Sequence, residues 1–209
     1  MRIGLTGAQG VGKTTMARAL SAKLGWPLIE EQARVIYYEG GFSRECDLKG
    51  KPKQSSAFQW RCLEEQIHLE NEFDRFIADR TVIDNAAYWI RWRMAYSPSR
   101  ESLAYYKKCE TQARLYDLVI YLPPEITLVA NGFRSTDRDY QLEMDWLIST
   151  LMRGLVAPEK IITVSGTVDQ RVEAVLAYLA RKPQNPCKDY GVLYDWDAAA
   201  NTDEFSRPQ

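Results

Sequence analysis

The chain has 209 residues with a formal net charge of −1, 45% hydrophobic and 26% charged side chains. That length suits one domain of ordinary size with a full hydrophobic core, and leaves no room for a second catalytic domain. The near-neutral balance argues against a protein that coats nucleic acid wholesale, and no apolar run reaches the length of a bilayer span, since the longest, LVIYL at 118–122, is five residues.

The opening MRIGLT predicts a short buried strand carrying Ile3 and Leu5, and the chain starting so directly is read as lacking a signal peptide and as cytoplasmic. GAQGVGKTT at 7–15 follows and fits G-x-x-x-x-G-K-[ST] through Gly7, Gly12, Lys13 and Thr14. Such a loop curls with its backbone N–H groups inward, and the helix behind it, with Met16, Ala17, Leu20 and Leu24 on one face, adds its positive end. A polyphosphate is the expected occupant, held by Gly7, Gln9, Gly10, Val11, Gly12, Lys13, Thr14 and Thr15. Lys13 reaches its outer phosphates and the Thr14 hydroxyl a bridging Mg²⁺.

WPLIEE at 26–31 predicts a second strand and QARVIYY a helix stopped by Gly40 and Gly41, while 42–54 reads as a polar loop. A helix is expected from Ser55 to about Phe73, with Ser55 or Ser56 as cap. It carries the single histidine, His68, read as structural because four scattered cysteines offer it no metal-ligating partners. RFIAD at 75–79 is a third strand, and helical patterns resume at Asn85, broken at 97–99. DLVIYL at 117–122 is a buried parallel strand, followed by the charged segment NGFRSTDRDY, a helix over 139–153, a strand over 161–165 and a helix over 168–181. Strands alternating with helices give an α/β fold, a doubly wound sandwich. Residues 1–182 form its domain, with a lid around 131–140, and 183–209 form an acidic, proline-containing tail.

Phosphoryl transfer needs a clamped nucleotide, a held metal, an aimed acceptor hydroxyl and neutralised charge. Asp79 and Arg80 close the third strand at the sheet edge that bears the phosphate loop, where Asp79 serves Mg²⁺ or the acceptor and Arg80 a hydroxyl-rich or anionic acceptor. A helix cap beside a surface arginine explains the same pair. Glu31 ends the second strand as a candidate base with Arg34 three residues later, Glu30 and Asp79 being the competing bases. Arg134 and Arg138 are the lid cations expected to close over the transferring phosphate. From Ala86 to Tyr116 six basic residues stand against two acidic ones, interleaved with Trp89, Trp92, Tyr96, Tyr105 and Tyr106. Such a stretch, 88–108 above all, suits either DNA contact or ordinary helix faces.

GAQGVGKTT, the E-x-x-R of Glu31 and Arg34, DRTVIDNAAY at 79–88, YDLVIYL and NGFRSTDRDY together resemble the P-loop kinases of the ribosylnicotinamide-kinase-like branch (AAA_28), well represented in bacteriophages. The family lid usually opens with Asp-Gly, whereas this chain has Asn131-Gly132. The resemblance implies a three-layer α/β/α sandwich around a parallel five-stranded sheet, ATP and Mg²⁺, a nucleoside-type acceptor met by Arg34, Arg80 and Asp84, and host cytoplasm if phage-encoded. Similar phage kinases phosphorylate 5-hydroxymethyluracil in viral DNA, which makes that base the favoured acceptor. Nicotinamide riboside or a deoxynucleotide is the small-molecule alternative, and a nucleotide-binding regulatory switch the alternative from another class.

Overall fold

The computed structural model describes residues 1–40, 51–125 and 137–181. Five strands, β1 (Arg2–Thr6), β2 (Leu28–Ile29), β3 (Phe76–Asp79), β4 (Leu118–Tyr121) and β5 (Ile161–Thr163), form one sheet in the order β2-β3-β1-β4-β5. Every pairing is parallel; β1 lies between β3, with Leu5 opposite Asp79, and β4, with Thr6 opposite Tyr121. All strands therefore end on one edge, where the first and third deliver the phosphate loop and Asp79 side by side.

Seven α-helices cover the sheet among the described residues: α1 (Lys13–Leu24), α2 (Gln32–Glu39), α3 (Pro52–Glu72), α4 (Val82–Trp92), α5 (Ser99–Ala113), α6 (Arg138–Leu155) and α7 (Val168–Arg181). Ile3, Leu5, Ile77, Leu118 and Ile120 pack with Met16 and Leu20 of α1 and Val172 and Val175 of α7. The alternate residues Phe76, Ala78 and Val119 pack with Leu63, Ile83, Ala86, Tyr105 and Cys109 from α3, α4 and α5. This division follows from the two-residue period of a strand, and burial on both faces from the parallel pairing. The three-layer α/β/α sandwich expected from the sequence is the fold found.

Several boundaries differ from the expected ones. β2 holds only two residues, which leaves Glu30 and Glu31 in the turn before α2, with Glu31 at its N-cap. α3 starts at Pro52, so Ser55 and Ser56 are helical rather than caps, and the Ser56 hydroxyl donates to Glu101 instead (2.7 Å). Proline favours the first helical turn because its missing N–H has no partner there in any case. Of the expected loop 42–54, residues 41–50 lie outside the described residues and 52–54 are helical. α4 begins three residues before Asn85, because Thr81 and Asp84 form a capping box that satisfies its first N–H groups. The lid segment through Arg134 and the tail from residue 182 lie outside the described residues.

Candidate active site

The phosphate loop joins β1 to α1. Gly7, Gly10 and Gly12 have φ of 142°, 80° and 90°. A side chain on Gly7 would also run into the carbonyl oxygen of Leu122, so that position requires glycine on two counts. Lys13 is buried and folds its ammonium back onto the carbonyls of Gly7 (2.6 Å) and Ala8 (2.7 Å). Burial lowers its pKa to about 7, helped by the Arg80 charge and opposed by Asp84, Asp79 and Glu31. The ammonium is short of negative charge, a shortage that a polyphosphate in the loop removes.

Asp79, at the end of β3, is almost wholly buried. Its carboxyl is pushed up from its ordinary range by desolvation, against a hydrogen bond from the Thr14 side chain, and Oδ1 finds no partner among the described residues. An orphaned carboxylate oxygen beside the loop threonine is the donor set that Mg²⁺ takes next to phosphates. Among the described residues there is no cluster of three His, Cys, Asp or Glu side chains that could hold a metal ion.

Arg80 is the one non-glycine residue with positive φ (104°) among those described. Its Nε donates to Glu31 Oε1 (2.6 Å), its Nη1 to Asp84 Oδ1 (3.3 Å), and its guanidinium stands 5.1 Å from the Tyr88 ring centre. Glu31 Oε2 accepts from Arg34 Nη2 at 3.0 Å. Thr14, Arg18, Glu30, Glu31, Arg34 and Asp79 line an open cleft. Glu30 is the more exposed of its two glutamates, and it pairs with Arg18 (3.0 Å).

Asp84, expected beside the acceptor, is fully buried. Its Oδ2 accepts from the Thr6 hydroxyl (2.8 Å), the Thr81 N–H (3.0 Å) and the Thr81 hydroxyl (2.9 Å), while Oδ1 takes Arg80. Capping leaves this carboxylate no face for a substrate. Arg138, at the first turn of α6, donates to Gln141 Oε1 and to the Pro124 carbonyl (3.1 Å). Gln141 in turn donates to the Gln9 carbonyl (2.6 Å), so α6 reaches the phosphate loop.

Two loop contacts escaped the sequence reading. Besides Gln141, the fully buried Arg171 donates Nη1 to the Val11 carbonyl (2.7 Å). Each interrupts an apolar helical stripe, Gln141 before Met144 and Ile148, and Arg171 beside Val172 and Val175. A polar side chain on a core face was the available signal.

The basic, aromatic stretch is divided between core and surface, with Tyr96, Arg100, Lys107 and Lys108 exposed. Trp89 and Tyr105 are buried and stacked at 4.2 Å, and Arg93 is 5% exposed. Arg91 pairs with Glu143 (2.7 Å), Lys108 with Glu64 (3.4 Å) and Arg114 with Glu110 (2.7 Å). The DNA-contact expectation for 88–108 thus loses Trp89, Tyr105 and Arg93, because aromatics at helical spacing fill the core between α3, α4 and α5. Among the described residues no helix is long and apolar enough to cross a membrane.

The family AAA_28, described as an AAA domain, matches residues 2–171, and the chain belongs to it. No curated protein matches the sequence. Among solved structures, deoxyadenosine kinase from M. mycoides with dCMP and dCDP bound is similar at TM-score 0.63 and 19% identity over 86% of this chain and 99% of that one. NadR in complex with NR is similar at TM-score 0.67 and 18% identity over 89% of this chain, which spans only 53% of NadR. Shikimate kinase from Acinetobacter baumannii in complex with shikimate follows at TM-score 0.53 and 14% identity, over 88% of this chain and 95% of that one. At these identities the likeness is one of fold.

Proposed function

We propose that this AAA_28 member is a phosphotransferase that moves the terminal phosphoryl group of ATP to a hydroxyl of a nucleoside-type acceptor. One observation carries the reading: Glu31, gripped by Arg80 and Arg34, shares an open cleft with the Thr14 and Asp79 pair beside the phosphate loop. A nucleotide switch needs the loop and the metal pair. It has no use for a second buried carboxylate aimed by two arginines across the cleft.

In this reading Lys13 leaves the Gly7 and Ala8 carbonyls for the outer phosphates. Thr14 and Asp79 would hold Mg²⁺, whose charge would offset that of the phosphate oxygens. Glu31 accepts the proton of the acceptor hydroxyl as the hydroxyl oxygen bonds to the terminal phosphorus and the bridging P–O bond to ADP breaks, and Arg34 and Arg80 fix the carboxylate for that task. Arg138, with Arg134 from the lid, neutralises charge on the migrating group and helps exclude water.

The M. mycoides deoxyadenosine kinase structure holds dCMP and dCDP and the NadR structure holds NR, which favours a small nucleoside-type acceptor. The family resemblance also supports 5-hydroxymethyluracil in DNA, a reading that rests on the exposed Tyr96 and Arg100. A screen with terminally labelled ATP against nicotinamide riboside, deoxynucleosides, deoxynucleotides and hydroxymethyluracil-containing DNA tests both. Label is expected in a small nucleoside-type product. Label in DNA alone replaces the acceptor, and ADP release indifferent to every acceptor returns the protein to the switch class.

A further inference from the structure

Glu70, near the end of α3, is fully buried, yet no cation pairs with it among the described residues. Three neutral donors hold it instead: Gln66 Nε2 and the Tyr116 hydroxyl, each 2.6 Å from Oε1, and Gln112 Nε2, 2.7 Å from Oε2. Desolvation raises its pKa above the ordinary carboxylate range, against all three hydrogen bonds and the more distant charge of Arg2. An apolar residue would fill the space without that burial cost, so the network needs another reason.

Its two outer ends supply one. The Tyr116 hydroxyl that donates to Glu70 also accepts the Val82 N–H (3.1 Å), and the Gln66 amide that donates to Glu70 also reaches the Arg80 carbonyl (3.5 Å). The network thus closes on both sides of the turn in which Arg80 takes φ 104°. An arginine adopts that conformation only where its surroundings enforce it. A third contact agrees: at Gly4 on β1 a Cβ would run into the Thr81 methyl and lie 3.3 Å from the Tyr116 ring, so the backbone there makes way for the same two residues.

We infer that Glu70 is a positioning residue for the transfer step: through Tyr116 and Gln66 it braces the Arg80–Val82 turn so that the Arg80 guanidinium meets Glu31. The inference rests on the transfer reading above, although the brace itself is testable without an acceptor. Glu70 touches neither nucleotide site nor cleft, and it acts only through that turn.

The variants are Tyr116→Phe, which cuts the link to Val82 while keeping the ring, Glu70→Leu, and the shape-preserving Glu70→Gln. Tyr116→Phe and Glu70→Leu are expected to lower kcat for acceptor phosphorylation about tenfold or more, with KM for ATP within about twofold. Glu70→Gln keeps an oxygen for Gln66 and Tyr116, and Gln112 can turn its own carbonyl toward the new amide, so it retains most of the rate. In an Arg80→Ala background Tyr116→Phe is expected to cost nothing further, because residues acting through one another are not additive. A folded Tyr116→Phe protein with wild-type kcat, or the same loss repeated in the Arg80→Ala background, overturns the inference. If Glu70→Leu does not fold, the Tyr116→Phe and Glu70→Gln pair decides alone. Hydrogen exchange of the Val82 amide separates this inference from the function it rests on. Exchange about tenfold faster in Tyr116→Phe supports the brace even if no acceptor is ever phosphorylated, and unchanged exchange overturns it whatever the acceptor screen finds.

Discussion

Arg80 Nε lies 2.6 Å from Glu31 Oε1, a buried contact between residues 49 apart in sequence and set at the ends of neighbouring strands. Both side chains are less than a tenth exposed, so neither is free to swing on its own. Removing Arg80 leaves Glu31 with Arg34 alone, and removing Glu31 leaves Arg80 with the longer contact to Asp84, so each loses its shorter partner.

Arg80→Lys follows from that geometry. A lysine cannot span Glu31 and Asp84 with a planar fork, so Glu31 is left held by Arg34 alone. Acceptor phosphorylation should fall about a hundredfold, within the range expected of a mispositioned general base, with ATP affinity little changed. Steady-state kinetics checks this, and a KM effect on ATP alone would place Arg80 on the donor side.

Lys13 gives a pH signature. Its folded pKa, lowered to about 7 from 10.5, means that the folded protein binds fewer protons than the unfolded chain between those values. Stability of the ligand-free protein should therefore rise with pH across that window and level off above it. Phosphates restore the charge, so nucleotide binding at pH 8.5 should take up about one proton. Calorimetry in buffers of different ionisation enthalpy measures that uptake, and Lys13→Met should abolish both it and the stability slope.

Arg138→Ala should lower kcat about a thousandfold, as for other arginines that neutralise a transferring phosphoryl group, while nucleotide binding persists. Single-turnover transfer of labelled phosphate separates the two effects. A rate near wild type would confine Arg138 to its bonds with Gln141 and the Pro124 carbonyl.

Arg93→Ala distinguishes core from interface. Because Arg93 is buried and donates to Ser97 Oγ (3.3 Å), its loss should destabilise the fold by about 1–2 kcal/mol, or roughly 3–6 °C in Tm for a chain of this size. The salt dependence of any DNA binding should not change. A flattened salt slope with an unaltered Tm would return Arg93 to a phosphate-contacting role.

Local patterns made much of this protein readable in advance. The glycine loop, strands of buried residues and helices of 3.6 period depend on neighbours within a few positions, and they led to the parallel α/β sandwich and to the edge where the site lies. Boundaries slipped where a cap or a proline acted, as at Thr81 and Pro52, because one side-chain hydrogen bond or one missing N–H moves a helix start by a turn. Composition left 88–108 open between DNA contact and ordinary helix faces, and packing divides it among core residues such as Trp89 and Tyr105, ion pairs such as Arg91 with Glu143, and exposed residues such as Tyr96 and Arg100.

Sequence patterns alone showed a phosphate loop near the start of the chain, with Glu31, Asp79 and Arg80 at predicted strand ends and Arg34 one helical turn beyond Glu31. Three-dimensional packing was needed to set Glu31, not Glu30, against Arg80, to commit Asp84 to capping, and to bring Gln141 and Arg171 to the loop and the Glu70 network to the Arg80 turn. The reason is physical. Strand and loop formation are set by short-range sterics and hydrophobic period, whereas the partner of a buried charge is chosen by whichever distant donors the packed sheet brings within about 3 Å.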